Sequence, residues 1–120
     1  MEPIRSITVG EVIDLEALDW KPVRPDIAHG VYGKPILDGL IKIVHTRVEP
    51  GGGFSPHQDC YGHLLYFLSG TGIVGAGKQR FDARAGLVVN ISAGEEHFYQ
   101  NTGEDDLILI SLNIPEAKAG

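Results

Sequence analysis

GGGFSPHQDCYGHLLYFLSG, residues 51–70, carries the clearest structural signal in this chain. His57 and Asp59 stand two residues apart, and in a β-strand such residues point to the same face. The chain can turn at residues 61–62, after which His63 begins a second strand. The three side chains are therefore expected to point into a barrel. Imidazole together with one carboxylate is a ligand set that Fe, Mn, Ni, Co, Cu and Zn accept.

The strand that begins at His63 is apolar on both faces. Leu65 and Phe67 share the face of His63 and are expected to line an interior pocket. The opposite face carries Leu64, Tyr66 and Leu68. A strand of this kind is typical of a position buried on both sides, inside a barrel and beneath another layer.

Short aliphatic and β-branched runs alternate with turn signals along the rest of the chain. Sixteen glycines and seven prolines separate these runs, which is typical of a β-sandwich or barrel. A clear turn signal stands at Pro50–Gly53. Gly10–Trp20 has helical spacing for at most a turn or two. The predicted strands are Leu40–Val48, His63–Leu68, Gly72–Gly75, Leu87–Ile91, His97–Gln100 and Leu107–Asn113.

Length and composition indicate one domain without a disulfide framework. The chain has 120 residues and a single cysteine, Cys60, which fits a reducing compartment. The net charge is −6, and no cluster of Lys and Arg offers a nucleic-acid footprint. No apolar run approaches the roughly 20 residues that span a bilayer, and no segment resembles a signal peptide. We expect a cytoplasmic protein with no nucleic-acid or membrane partner.

Two separate stretches resemble known motifs in their spacing. The first runs Gly51, five residues, His57-Gln58-Asp59, three residues, His63, six residues, Gly70. It resembles the first motif of the cupin superfamily, which has His-x-His and Glu at the ligand positions. The second runs Gly86, five residues, Ser92-Ala93-Gly94, two residues, His97, three residues, Asn101. It resembles the second cupin motif, which has Pro in place of the serine. Every spacing is kept.

The resemblance implies an all-β fold, a double-stranded β-helix of the cupin or jelly-roll type. Its barrel would comprise residues 40–114, preceded by an N-terminal arm with edge strands at 1–39 and followed by a loose tail at 115–120. Residues 21–39 read as the extended arm or edge strand. Most cupins of this size pair as dimers through an edge strand or an exchanged arm, so a homodimer is expected.

The resemblance also implies one divalent transition metal. The expected ligands are His57, Asp59, His63 and His97. Asp59 replaces the second His of the family pattern and His63 replaces its Glu, so three imidazoles and one carboxylate remain. Mn or Fe is favoured, while Ni, Cu or Zn is possible. Asp59 is either a direct ligand or an orienting partner of one imidazole.

Several residues are candidates for the pocket and for proton transfer. Tyr99 lies two residues after His97 and is expected to face the cavity. Tyr99 and Glu96 are the candidate catalytic bases. His45 and Arg47 share a face of their strand. That face either lines the pocket and binds an acidic substrate or is a solvated outer face.

The function expected from this site is that of a metal-dependent oxidoreductase. A dioxygenase-like reaction on a small organic substrate that chelates the metal is the first hypothesis. The alternatives are a non-redox metal-dependent isomerase, lyase or cyclase, and a non-catalytic cupin that binds a small ligand. The fold alone does not choose among them.

Overall fold

The structure, a computed structural model, describes residues 12–115 and is all-β apart from one short 3₁₀ helix, Leu15–Ala17. The first eleven residues of the predicted arm and the last five of the predicted tail lie outside the described residues. Within the described range, no helix is long and apolar enough to cross a bilayer. The strands are β1 (Lys21–Pro22), β2 (Ala28–Asp38), β3 (Lys42–His57), β4 (Gly62–Ser69), β5 (Gly72–Ala76), β6 (Gln79–Ala83), β7 (Val88–Ile91), β8 (His97–Asn101) and β9 (Leu107–Ile114).

These strands form one curled antiparallel sheet. The order along the sheet is β6-β5-β8-β3-β9-β4-β7, with β2 paired to β3 and β1 paired to β2. Curling brings the two ends of this order around a common interior, which is the jelly-roll arrangement. The predicted all-β, double-stranded β-helix fold is confirmed.

The turn signal at Pro50–Gly53 bends β3 without ending it. Residues 49–52 stand opposite the single residue Gly30 of β2, so the strand bulges there and continues to His57. Gly51 adopts a φ of 81°, which a glycine tolerates without steric cost. Before the bulge β3 pairs with β9, and after it β3 pairs with β8. The predicted end of this strand at Val48 is therefore wrong, because the glycines let one strand serve both halves of the sheet.

The inner face of the barrel has a polar, open end and an apolar, closed end. Along β4, His63 and Leu65 lie at the open end and Phe67 at the closed end. Along β9, Asn113 and Ser111 lie at the open end. The fully buried apolar side chains of the barrel are Val48, Phe67, Val74, Ile91, Leu107 and Leu109. Burial of these side chains provides the main stabilising free energy and holds the open end in place.

The N-terminal segment is fastened across the outside of β3. The Lys34 ammonium donates to the Leu15 carbonyl at 2.7 Å and lies 4.5 Å from the centre of the Trp20 ring. The Arg47 guanidinium lies 4.9 Å from the same ring, and the His45 ring lies 5.4 Å from it. Cation–π and ring contacts therefore fix Trp20. The segment on either side of Trp20 becomes a wall of the open end.

Candidate metal centre

Four side chains meet at the open end of the barrel. His57 ends β3, His63 lies near the start of β4, His97 begins β8, and Asp59 lies in the bend between β3 and β4. The Nε2 atoms of His57, His63 and His97 lie 3.2, 2.8 and 3.5 Å from Oδ2 of Asp59. His57, Asp59 and His97 offer donor atoms that all lie within 4.8 Å of one another, a group that could hold a metal ion.

Strand register explains why these side chains meet. His57 pairs directly with His97 across β3 and β8, and paired residues of antiparallel strands point to the same face. His63 pairs with Asn113 on β9. The Gly94 N–H donates to the Asp59 carbonyl at 2.8 Å, which ties the bend to the loop before β8.

Each imidazole is oriented by a hydrogen bond at its other nitrogen. Nδ1 of His57 donates to the Ser55 carbonyl at 2.8 Å, and Nδ1 of His97 donates to the Glu95 carbonyl at 2.9 Å. Nδ1 of His63 donates to Oδ1 of Asn113 at 3.0 Å. Because carbonyl oxygens only accept, a neutral His57 or His97 carries its proton on Nδ1 and leaves the Nε2 lone pair free. Nε2 of His63 lies within hydrogen-bonding distance of Oδ2 of Asp59, at 2.8 Å. This is the arrangement that metal-binding histidines adopt.

Three Nε2 atoms therefore surround Oδ2 of Asp59. Wherever an imidazole presents its Nε2 lone pair, it and the carboxylate repel each other unless a cation lies between them. Three nitrogens and one oxygen suit a divalent transition metal. The donor set thus fits the metal that the sequence predicts, while the structure does not choose the element.

The electrostatics of the site favour the ligand forms of two members. Burial, with some repulsion from His57 and His63, lowers the pKa of His97, so its imidazole is neutral at pH 7. Burial opposes ionisation of Asp59, but hydrogen bonds to His63 and Arg24 outweigh it and hold the pKa of Asp59 below its ordinary value. A neutral imidazole and an ionised carboxylate are the forms that bind metals.

Arg24 is part of this site, although no sequence motif indicates it. Its Nη1 donates to Oδ1 of Asp59 at 2.9 Å across 35 positions of sequence. Among residues 12–115 it is the non-glycine residue with a positive φ, 41°, a conformation that costs an L-residue roughly 1–2 kcal/mol. The N–H groups of Ile27 and Ala28 both donate to its carbonyl at 3.0 Å and hold this turn.

A cavity of about 910 Å³ opens above the four side chains. Leu65 and Tyr99 line it, as expected from the sequence, and Phe54 and Tyr61 line it as well. Segment 12–24 supplies the outer wall. The remaining barrel wall consists of Gly33, Pro35, Lys42, Val44, Thr46, Ser111 and Asn113.

Three residues expected at the pocket lie elsewhere. The face of β3 that looks into the cavity carries Lys42, Val44 and Thr46, so His45 and Arg47 lie on the outer face against Trp20. Phe67 is fully buried at the closed end, edge-on to Tyr99 at 6.4 Å between ring centres. It belongs to the core rather than to the cavity wall.

The two candidate bases are poorly placed for proton transfer. Glu96 is exposed and does not line the cavity. Tyr99 lines the cavity, but its residue is buried, and burial raises the pKa of its phenol far above neutral pH. Tyr61 is a better placed phenol that the sequence did not single out. It lines the cavity with its ring centre 5.0 Å from that of His63, and burial and Asp59 raise its pKa.

Asn113→Ala is expected to weaken metal binding by about 10–100-fold, because His63 loses the acceptor that fixes its ring and tautomer. Competition with a chelator of known affinity measures the effect. Ser111→Ala is the matched control, since Ser111 lines the same cavity two residues earlier and bonds to Thr46 rather than to a ligand. Equal affinity of the two variants would contradict a role for Asn113.

Residues 44–113 match the family model described as Cupin domain, which is more than half of the chain. The chain therefore belongs to the cupin domain family, as the two sequence motifs indicated. A search of curated protein sequences found no match.

Several solved structures share this fold. A predicted oxalate decarboxylase from Thermotoga maritima is similar, with a TM-score of 0.79 and 20% identity over 88% of this chain and 100% of that one. The polyketide cyclase RemF from Streptomyces resistomycificus has a TM-score of 0.78 and 16% identity over 91% and 82% of the two chains. KdgF from a Halomonas species has a TM-score of 0.73 and 20% identity over 85% and 92%. At these identities the likeness shows the fold alone.

Proposed function

We propose that this cupin is a metal-dependent oxidoreductase with dioxygenase-like chemistry on a small organic substrate that chelates the metal. One observation carries the proposal. The Nε2 atoms of His57, His63 and His97 converge on the Asp59 carboxylate, and the Nδ1 atom of each ring is occupied by an oxygen acceptor. Rings held at Nδ1 with their Nε2 atoms turned to one carboxylate are what a metal centre requires.

His57, His63, His97 and Asp59 would hold the metal, with Mn or Fe favoured. A bound metal of this kind supplies a Lewis acid and, if it is redox-active, a partner for dioxygen. The protein contributes the surroundings. Phe54, Leu65 and Tyr99 give the cavity apolar walls, and the cavity volume falls within the roughly 300–1,000 Å³ typical of small-molecule sites.

A second candidate function is non-redox isomerase, lyase or cyclase chemistry, and Tyr61 is the observation that favours it. Its phenol, protonated at neutral pH like that of an ordinary tyrosine, lines the cavity beside Asp59 and His63. Such a group can donate a proton to a bound substrate. This reaction would need neither oxygen nor a redox-active metal.

Oxygen consumption separates the two functions. Protein loaded with Mn or Fe is expected to consume oxygen with at least one member of a panel of small diketones, enols and catechols. Protein loaded with Zn should be inactive in the same assay, and a His57→Ala variant serves as the control. Turnover by the Zn form without oxygen would favour the non-redox function. A complete lack of oxygen uptake by the Mn and Fe forms would contradict the oxidoreductase proposal.

The homodimer and the cytoplasmic location stay predictions. Exposed Tyr66 and Leu68 on β4 and Val88 on the edge strand β7 offer an apolar surface to a second copy. Tyr66 and Val88 stand directly opposite each other. Sedimentation equilibrium tests this association.

A further inference from the structure

Resting on this proposed function, we infer that the substrate is a small carboxylic acid and that Arg24 binds its carboxylate beside the metal ligands.

Arg24 lies next to the ligand cluster. The Asp59 carboxylate connects Arg24 with the three histidines. Its Oδ1 accepts from Arg24 Nη1 at 2.9 Å, and its Oδ2 faces the histidines. A group bound to the free side of the guanidinium would therefore lie one carboxylate away from the imidazole cluster. That separation suits a compact substrate with a carboxylate and a nearby chelating oxygen.

The guanidinium retains donors for a ligand. Asp59 occupies Nη1 and the Tyr61 hydroxyl is a second hydrogen-bond partner of the side chain. A guanidinium carries several further N–H donors in a planar fork that matches a carboxylate. The Arg24 side chain is 42% exposed and lines the cavity, while the Asp59 side chain is only 7% exposed. The exposed part of the guanidinium is therefore accessible to a ligand in the cavity.

The charge of the cavity differs from that of the chain. The chain has a net charge of −6. The cavity is lined by the cations Lys21, Arg24 and Lys42 and by the carboxylates Asp14, Asp19 and Asp59. These charges balance, so a divalent metal would make the cavity net positive. Positive charge in a cleft with low-dielectric walls attracts an anionic ligand.

The backbone of Arg24 is held in a conformation that arginine rarely adopts. Its φ of 41° lies in the left-handed region, and the N–H groups of Ile27 and Ala28 fasten the turn through its carbonyl. Such conformations persist where the surroundings enforce them, and they occur preferentially at ligand sites. The turn thus presents the guanidinium at the cavity before a ligand arrives.

Calorimetric titration of the zinc-loaded protein tests the inference. The probes are pyruvate, malonate and salicylate, each compared with its neutral amide. At least one acid is expected to bind about tenfold or more tightly than its amide, as a charge-assisted hydrogen bond provides. Arg24→Gln should reduce that preference to about twofold or less, and Arg24→Lys should retain part of it. Lys21→Gln is the matched control, because it removes one charge from the same cavity wall without touching Asp59.

Two results would overturn the inference: no preference for any acid, or a preference that survives Arg24→Gln. Metal content and near-ultraviolet circular dichroism of each variant show whether the site and fold are intact. If the wild type binds no metal, the proposed function fails. The same titrations on metal-free protein then decide the Arg24 site independently.

Discussion

A His57→Ala, His97→Ala double variant is expected to lose its metal, whereas wild-type protein purified without a metal-affinity tag carries about one equivalent per chain. The two rings face each other across β3 and β8, with their centres 4.2 Å apart. Their removal leaves only His63 and Asp59 of the four donors. Loss of an outer-shell partner already costs up to about 100-fold in affinity, so loss of two ligands should exceed that. Elemental analysis of both proteins measures the effect.

His29→Ala is the control for this experiment. His29 is exposed on β2, and its ring bonds to the Gly51 carbonyl at 2.9 Å rather than to any residue of the metal centre. The His29→Ala variant should keep the wild-type metal content. Equal metal in the double variant and the wild type would show that the metal binds elsewhere. The identity of the bound metal also distinguishes the two proposed functions. Mn or Fe would favour the oxidoreductase, whereas Zn alone would favour the non-redox function assisted by Tyr61.

Phe67→Ala is expected to lower the free energy of unfolding by about 3–5 kcal/mol. The Phe67 side chain is fully buried at the closed end of the barrel and lies edge-on to the Tyr99 ring. Its truncation removes apolar contacts and leaves a cavity that the surrounding strands fill only in part. Urea denaturation of the metal-free protein measures the change without a contribution from metal binding.

Phe81→Ala is the matched comparison for Phe67→Ala. It truncates the same type of side chain on β6, where Phe81 is 39% exposed and lies outside the proposed dimer surface. A loss of about 1 kcal/mol or less is expected there. An equally small loss of stability for Phe67→Ala, together with weaker ligand binding, would contradict this placement of Phe67 in the core. Phe67 would then line the pocket, as its alternation with His63 suggested.

Most strands were predictable because they follow local rules. Alternating apolar residues between turn signals indicated β4, β5, β7, β8 and β9 with small differences in their bounds. β6 has no counterpart among the predicted strands, because four of its five residues, Gln79–Asp82, are exposed and its only apolar residues are Phe81 and Ala83. Its strand conformation is stabilised by antiparallel pairing with β5.

The sequence by itself predicted the four donors that meet at the open end, because they stand at the ligand positions of the two cupin motifs that it resembles. Two-residue alternation brought His57 and Asp59 together, and the second motif supplied His97. It could not determine which face of β3 looks inward, since both faces mix polar and apolar residues. Pairing with β2 and β9 decided that, and it placed His45 and Arg47 outside.

Only the tertiary structure revealed the groups that orient the ligands from a distance. Asn113 meets His63 across 50 positions of sequence, and Arg24 meets Asp59 across 35. Such contacts follow from how the sheet curls and how the N-terminal segment crosses it, and no local periodicity encodes them. Spacing along a strand specifies the donors, whereas closure of the barrel specifies their partners.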